Sequence, residues 1–200
     1  MCGSLYMLLF PTMALIYLGF LILAISIVLG LFFRDPDRRI GSGVVSPADG
    51  RVMKAEAEKG GRYHVSIFMN VHNVHVNRMP WPGRILHVEH HPGGFVPAFN
   101  KDSDLNERVV VSFRTENGDW EVTQIAGAVA RRIVPYIVPG QDLRKGERFG
   151  LIRFGSRVDL SFRMPKGMVL AVSPGQKVRA GVTDIAAPAG IREGTRRMVR

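Results

Sequence analysis

The chain has 200 residues, with 27 Lys or Arg against 17 Asp or Glu, for a formal net charge of +10. That length suits one domain with its own core plus a small appendage, and a hydrophobic fraction of 46% excludes a disordered chain. The single cysteine, Cys2, excludes a disulfide scaffold and a multi-cysteine zinc site.

Residues 1–33 contain no charged side chain, and a bilayer span takes roughly 20 apolar residues. The expected first element is therefore a membrane helix, with Pro11 suited to a first turn. A cleavable signal peptide would carry basic residues before its apolar run. Here the first charge, Arg34, comes after it. With Arg38 and Arg39 it orients the rest of the chain to the cytoplasmic side of the cell membrane. The basic balance points to acidic partners, with nucleic acid and anionic membrane as the usual classes.

Beyond Arg39 the texture changes to short β-type runs divided by Gly and Pro. Strands are expected near 43–45, 50–55, 64–69, 83–87, 108–115, 120–128, 156–162, 168–172 and 177–178. Asn117-Gly118, between alternating apolar segments, marks a hairpin. Residues 126–138 have room for one short helix. Val45–Val52 and Pro174–Gly181 look like halves of one Gly-marked pattern. The expected architecture is a β-rich, mainly antiparallel barrel- or sandwich-like domain over 34–188, after a hydrophobic anchor over 1–33. Residues 189–200 read as a basic tail.

Three places carry residue types suited to chemistry. Asp49 sits in Ser46-Pro47-Ala48-Asp49-Gly50, where an Asp before Gly ordinarily bonds its own backbone. His72 and His75 are three apart in Val71–Arg78. That spacing fits acid–base work, a metal ligand pair, or two histidines with no special role. His87, His90 and His91 could be recruited as further ligands, but His90-His91-Pro92-Gly93-Gly94 reads as a loop and no third ligand at a sensible spacing emerges. Ser156 follows Gly155 in Arg153–Asp159, without the frame of a hydrolase elbow. Together these places offer an acid, a base and a hydroxyl, the ingredients for activating Ser156.

These segments occur in the order seen in phosphatidylserine decarboxylases. With Lys101–Arg108 and the junction Phe32-Phe33-Arg34-Asp35-Pro36, the chain resembles the short, compact subfamily of these pyruvoyl enzymes from residue 32 to about 187. Longer relatives carry Leu-Gly-Ser-Thr or Gly-Gly-Ser-Thr at the processing site, whereas this chain has Phe-Gly-Ser-Arg.

The resemblance implies autocatalytic serinolysis between Gly155 and Ser156. Ser156 attacks the Gly155 carbonyl, His75 takes the proton, and Asp49 orients and stabilises the imidazolium. Ser156 then becomes a covalent pyruvoyl group that binds the substrate amine as a Schiff base, and His72 returns a proton to the α-carbon. The expected reaction is phosphatidylserine to phosphatidylethanolamine, with archaetidylserine as an alternative substrate. The expected partners are the membrane, an anionic phospholipid, and the two cleavage fragments, 1–155 and 156–200, held as a heterodimer that is open to further homo-oligomerisation. Arg34, Arg38 and Arg39 are expected to gather the anionic lipid at the bilayer surface.

Rival readings are a zinc hydrolase, a nucleic-acid protein, and a membrane-tethered adaptor or lipoyl-like carrier without catalysis. Scattered basic residues and the anchor argue against nucleic acid. Neither Lys54 nor Lys177 has the setting of a carrier lysine.

Overall fold

The computed structural model describes residues 2–94, 105–127, 133–152 and 156–190. It divides into two compact units, Met1–Arg34 and Asp35–Arg200.

The first unit is helix α1, Cys2–Phe32. Its segment Met13–Gly30 is 18 residues long, apolar enough to cross a membrane and not buried inside the protein. At 1.5 Å per residue those residues alone rise about 27 Å, close to a bilayer's hydrocarbon thickness. Ser26 donates its hydroxyl to the Ile22 carbonyl at 2.8 Å, so this polar group is satisfied within the helix. The last turn closes with the Phe33 amide on the Leu29 carbonyl at 2.9 Å.

The second unit is built of strands. In chain order they are β1 (Val44–Val45), β2 (Gly50–Ala57), β3 (Arg62–Met69), β4 (Val76–Arg78), β5 (Gly83–His91), β6 (Arg108–Thr115) and β7 (Gly118–Ile125). There follow β8 (Ile133–Pro135), β9 (Asp142–Leu143), β10 (Arg148–Ile152), β11 (Ser156–Arg163), β12 (Met168–Leu170), β13 (Lys177–Val178) and β14 (Asp184–Pro188). An eight-stranded sheet runs β13-β2-β3-β11-β7-β6-β5-β9, and two three-stranded sheets run β4-β10-β8 and β1-β14-β12. The pairings between these strands are antiparallel. The expected β-rich, antiparallel class with an apolar N-terminal helix is the one observed.

Alternation sets the core. Along β11, Ser156, Val158, Leu160 and Phe162 are buried, while Arg157 and Ser161 are only partly so. Trp120 of β7 packs on Phe162 with ring centroids 5.1 Å apart and on Phe113 of β6 at 6.1 Å. Fully burying such aromatic side chains contributes about 1.5–3 kcal/mol each.

The Asn117-Gly118 turn does join two strands, β6 and β7, with Thr115 paired to Gly118. The two similar pieces around 45–52 and 174–181 lie against each other. Val178 pairs with Gly50 and Lys177 with Arg51, and the Gly181 amide donates to the Ser46 carbonyl at 2.8 Å. One expectation is corrected. The helix sought in 126–138 is replaced at 133–135 by strand β8, because β8 pairs with β10 and the following Tyr136 amide donates to the Phe149 carbonyl of β10 at 2.9 Å. Residues 128–132 lie outside the described ones, as does the 191–200 part of the basic tail.

Candidate active site

Two chain connections join the large sheet to the β4-β10-β8 sheet, and the strand residues at their ends are paired. The first leaves β3 at Met69 and enters β4 at Val76; the second leaves β10 at Ile152 and enters β11 at Ser156. Met69 pairs with Ser156 at one end, and Val76 pairs with Leu151 at the other. The Ile152 amide also donates to the His75 carbonyl at 3.3 Å. His72 and His75 are therefore on the first connection, and Ser156 ends the second. Gly155, the other half of the expected cleavage site, lies outside the described residues, as do Arg153 and Phe154.

Ser156 is fully buried. Strand parity turns its side chain inward with Val158 and Leu160, and its hydroxyl donates to Met69 Sδ at 3.5 Å. Its neighbour Arg157 points to the opposite face and pairs with Asp159 at 2.7 Å. The basic residue in Phe-Gly-Ser-Arg is thus held on the side of β11 away from the Ser156 side chain.

His75 is also fully buried. Its Nδ1 lies 2.8 Å from the Asn73 carbonyl. A carbonyl only accepts, so this contact places a proton on Nδ1, and in the neutral ring the lone pair is then on Nε2, the form a general base needs. Asn73 is itself fixed by a turn. Its amide donates to the Asn70 carbonyl at 2.9 Å, and its side chain accepts from the Asn70 amide at 2.8 Å. His72 rides on this turn with its side chain in solvent.

Asp49 ends the turn that leads into β2. Arg51 pairs with Phe68, so the starts of β2 and β11 flank the end of β3, two strand spacings or roughly 10 Å apart. The same turn reaches β4, since the Pro47 carbonyl accepts from the Arg78 amide at 2.9 Å. The Asp49 carboxylate is bound by Arg38 at both oxygens, one of these bonds being 3.0 Å, and by the Ala180 amide at 2.7 Å. The structure thus brings Asp49, His75 and Ser156 to one end of three neighbouring elements. The hydrogen bonds that hold Asp49 and the His75 Nδ1 come from Arg38, Ala180 and Asn73.

This geometry corrects one expectation. The Arg38 side chain is only 7% exposed and is committed to Asp49, so it does not serve the bilayer surface. Arg39 is exposed.

Two further polar residues reach the site. Asn77 and Gln124 are fully buried, and Gln124 Nε2 donates to Asn77 Oδ1 at 2.7 Å. Asn77 Nδ2 in turn approaches Met69 Sδ at 3.7 Å and the Pro47 carbonyl at 3.4 Å. Gln124 pairs with Val158, two residues along β11 from Ser156, and its buried Oε1 has no hydrogen-bond partner among the described residues. The signal for Gln124 was present in the sequence, as it shares the inward parity of Trp120 and Val122. His87, His90 and His91 are on β5, three strands from β11. Among the described residues no three His, Cys, Asp or Glu side chains converge on a metal-binding point.

The phosphatidylserine decarboxylase family model matches residues 25–186, which include all of these positions. The chain belongs to the phosphatidylserine decarboxylase family. A phosphatidylserine decarboxylase proenzyme of Streptomyces coelicolor is 61% identical over 155 residues, covering 77% of this chain and 70% of the relative. One of Thermobifida fusca is 53% identical over 163 residues, covering 81% and 74%. A Halobacterium salinarum protein, provisionally named an archaetidylserine decarboxylase proenzyme, is 52% identical over 158 residues, covering 78% of each. The family is one of decarboxylases, carboxy-lyases of phospholipid metabolism, and its members are named as precursors. The apolar helix α1 is consistent with membrane association.

Proposed function

We propose that this chain cleaves itself between Gly155 and Ser156 and then decarboxylates phosphatidylserine to phosphatidylethanolamine at the membrane. The observation that supports this most is the pairing of Met69 with Ser156 and of Val76 with Leu151, which anchors both ends of the segment carrying buried His75 to the strands on either side of the proposed cut.

In the processing step His75 Nε2 takes the Ser156 hydroxyl proton, and Oγ attacks the Gly155 carbonyl carbon. The peptide C–N bond breaks as the ester C–O bond forms, and the proton passes to the freed amine. Asp49, held by Arg38 and the Ala180 amide, is assigned the acid's part beside this base, and the Asn73 carbonyl rather than Asp49 orients the ring through Nδ1. Loss of the Ser156 α-proton then expels the Gly155 carboxylate and leaves dehydroalanine, which water converts to a pyruvoyl group with release of ammonia.

The surroundings of Ser156 fit such a group. The position is closed to solvent, paired with Met69 of β3, and lies near the buried Gln124 amide, whose Oε1 has no hydrogen-bond partner among the described residues. The pyruvoyl group supplies a conjugated carbonyl that accepts the electron pair left by departing CO2. The chain's own tasks are to keep residue 156 inside the sheet, to admit the substrate amine to it, and to return a proton to the α-carbon. His72, on the solvent side of the first connection, is assigned that last task.

Fragments 1–155 and 156–200 remain together as a heterodimer, and α1 anchors it with the strand unit in the cytoplasm, as Arg34 and Arg39 directly after the apolar run favour. The Halobacterium relative supports a second substrate, archaetidylserine, whose headgroup presents the same serine. Mass analysis tests the reading: purified protein should be fragments of 155 and 45 residues, the shorter lacking a free amino terminus. An intact, inert chain would instead support the adaptor reading. Ser156→Ala should abolish both cleavage and turnover, and His75→Ala should slow cleavage strongly. His72→Ala should lower turnover more than processing, and release of CO2 from ester and ether lipids would rank the two substrates.

A further inference from the structure

The four residues Asp35–Arg38 open the second unit, and they bond to β4, to β10 and to Asp49, next to the proposed processing groups. Asp35 accepts from Arg78 Nη2 at 2.6 Å and from Arg148 Nε. Arg78 ends β4, Arg148 begins β10, and the two are paired across the strands. Like charges directly opposite each other destabilise a strand pair, so Asp35 between them holds together the strands that present His75 and lead to Ser156. Arg78 also donates to the Pro36 carbonyl at 3.3 Å and to the Gly146 carbonyl at 3.1 Å.

Arg38 performs the second grip. Its guanidinium meets both oxygens of Asp49 and donates to the Ala180 carbonyl at 2.8 Å, while the Ala180 amide returns a bond to Asp49. Side-chain exposures of 7% for Arg38 and 9% for Asp49 put this pair out of water. The planar guanidinium fixes a carboxylate in angle as well as in distance, which a lysine ammonium does not.

We propose that Asp35–Arg38 is a positioning strap for self-cleavage, in which Arg38 acts through Asp49 and Asp35 acts through the β4–β10 pair. This rests on the serinolysis reading above. Asp49 works as one half of a fixed ion pair, and the residues that follow the anchor set where its charge lies.

The test is cell-free synthesis of the full chain, with the 155- and 45-residue fragments followed in time on a denaturing gel. Arg38→Ala should slow cleavage roughly 10- to 100-fold, the scale of a misplaced catalytic group. Arg38→Lys should recover part of that loss, and Arg179→Ala, an exposed arginine beside Ala180, should cleave at the wild-type rate. Added guanidinium at millimolar concentration should restore cleavage to Arg38→Ala but not to Arg38→Met, whose side chain fills the space. Asp35→Asn should also slow cleavage, without rescue by guanidinium. Melting temperatures report the fold of each variant. If Arg38→Ala cleaves like wild type, or is slow with no rescue by guanidinium or lysine, the strap is overturned and serinolysis stands. If the wild type never cleaves, the serinolysis reading falls, and the strap with it.

Discussion

Gly150 leaves the space in which the Gln124 amide lies. A Cβ at position 150 would stand 2.9 Å from Gln124 Nε2, 3.1 Å from its Oε1 and 3.1 Å from the Val134 carbonyl oxygen. Gly150→Ala must therefore displace the amide or the β8 backbone, at a cost of about 1–3 kcal/mol as for other overpacked sites. Denaturant unfolding should show that loss, with a smaller one when Gln124 is already Ala, because the two sites share the strain. Displacing the amide breaks its bond to Asn77, so cleavage should slow as well. At this scale the sequence carried Asp49, His75 and Ser156 through residue type and motif, and Gln124 through strand parity. Asp35 and Arg38 were not legible in the same way. Basic residues after an apolar run have an ordinary topological reading, and only tertiary structure brings Arg38 to a carboxylate 11 positions away.

At the scale of elements, the β6–β7 hairpin depends on Gly118, whose φ of 100° is costly for any residue with a Cβ. The nearest atom to an added Cβ is 3.5 Å away, an ordinary contact. The cost of Gly118→Ala is then conformational, about 1–2 kcal/mol, read as a lower melting temperature. Beside the turn, the Arg114 guanidinium holds the Asp119 carboxyl below its usual range. A lowered folded pKa gives stability that is present above the unfolded pKa and lost as pH falls through the folded one. Wild type and Asp119→Asn should therefore differ at neutral pH and converge in acid melts, by a small margin because the pair is exposed. The long strands were legible from apolar runs and turn residues, and β6 at 108–115 falls on the expected bounds. The strands that escaped, β4, β8, β9, β10 and β14, are short and carry residues that weaken a strand signal: Asn77 in β4, Pro135 ending β8, Asp142 opening β9, Gly150 inside β10, and Ala-Ala-Pro closing β14. Their pairing comes from partners distant in sequence, as when β14 joins β1.

For the whole molecule, the division at Arg34 separates an apolar helix from a strand unit with its own core. Deleting residues 1–33 should move the protein from the membrane pellet to the supernatant while cleavage continues, because Asp35 and Arg38 remain. Deleting residues 1–38 should halt cleavage, and gels of both fractions check the two outcomes together. The fold class was legible because composition changes sharply at Arg34. The strand order was not, since local signals do not say that β11 lies between β3 and β7.

That position of β11 has a thermodynamic consequence once the chain is cut. The strand starts at the proposed cut and pairs with β3 from Ser156 to Arg163 on one side and with β7 on the other. The piece behind it also supplies β13 against β2 and β14 against β1. Before cutting, folding is a first-order event whose midpoint ignores dilution. Afterwards the short fragment is an interior part of a two-chain assembly, and its return from the melted state is a collision whose rate scales with concentration. Precursor held uncut by Ser156→Ala should refold at any dilution, whereas the cut protein should recover less as it is diluted. The mature molecule would then keep, in its reaction order, a record of having been one chain.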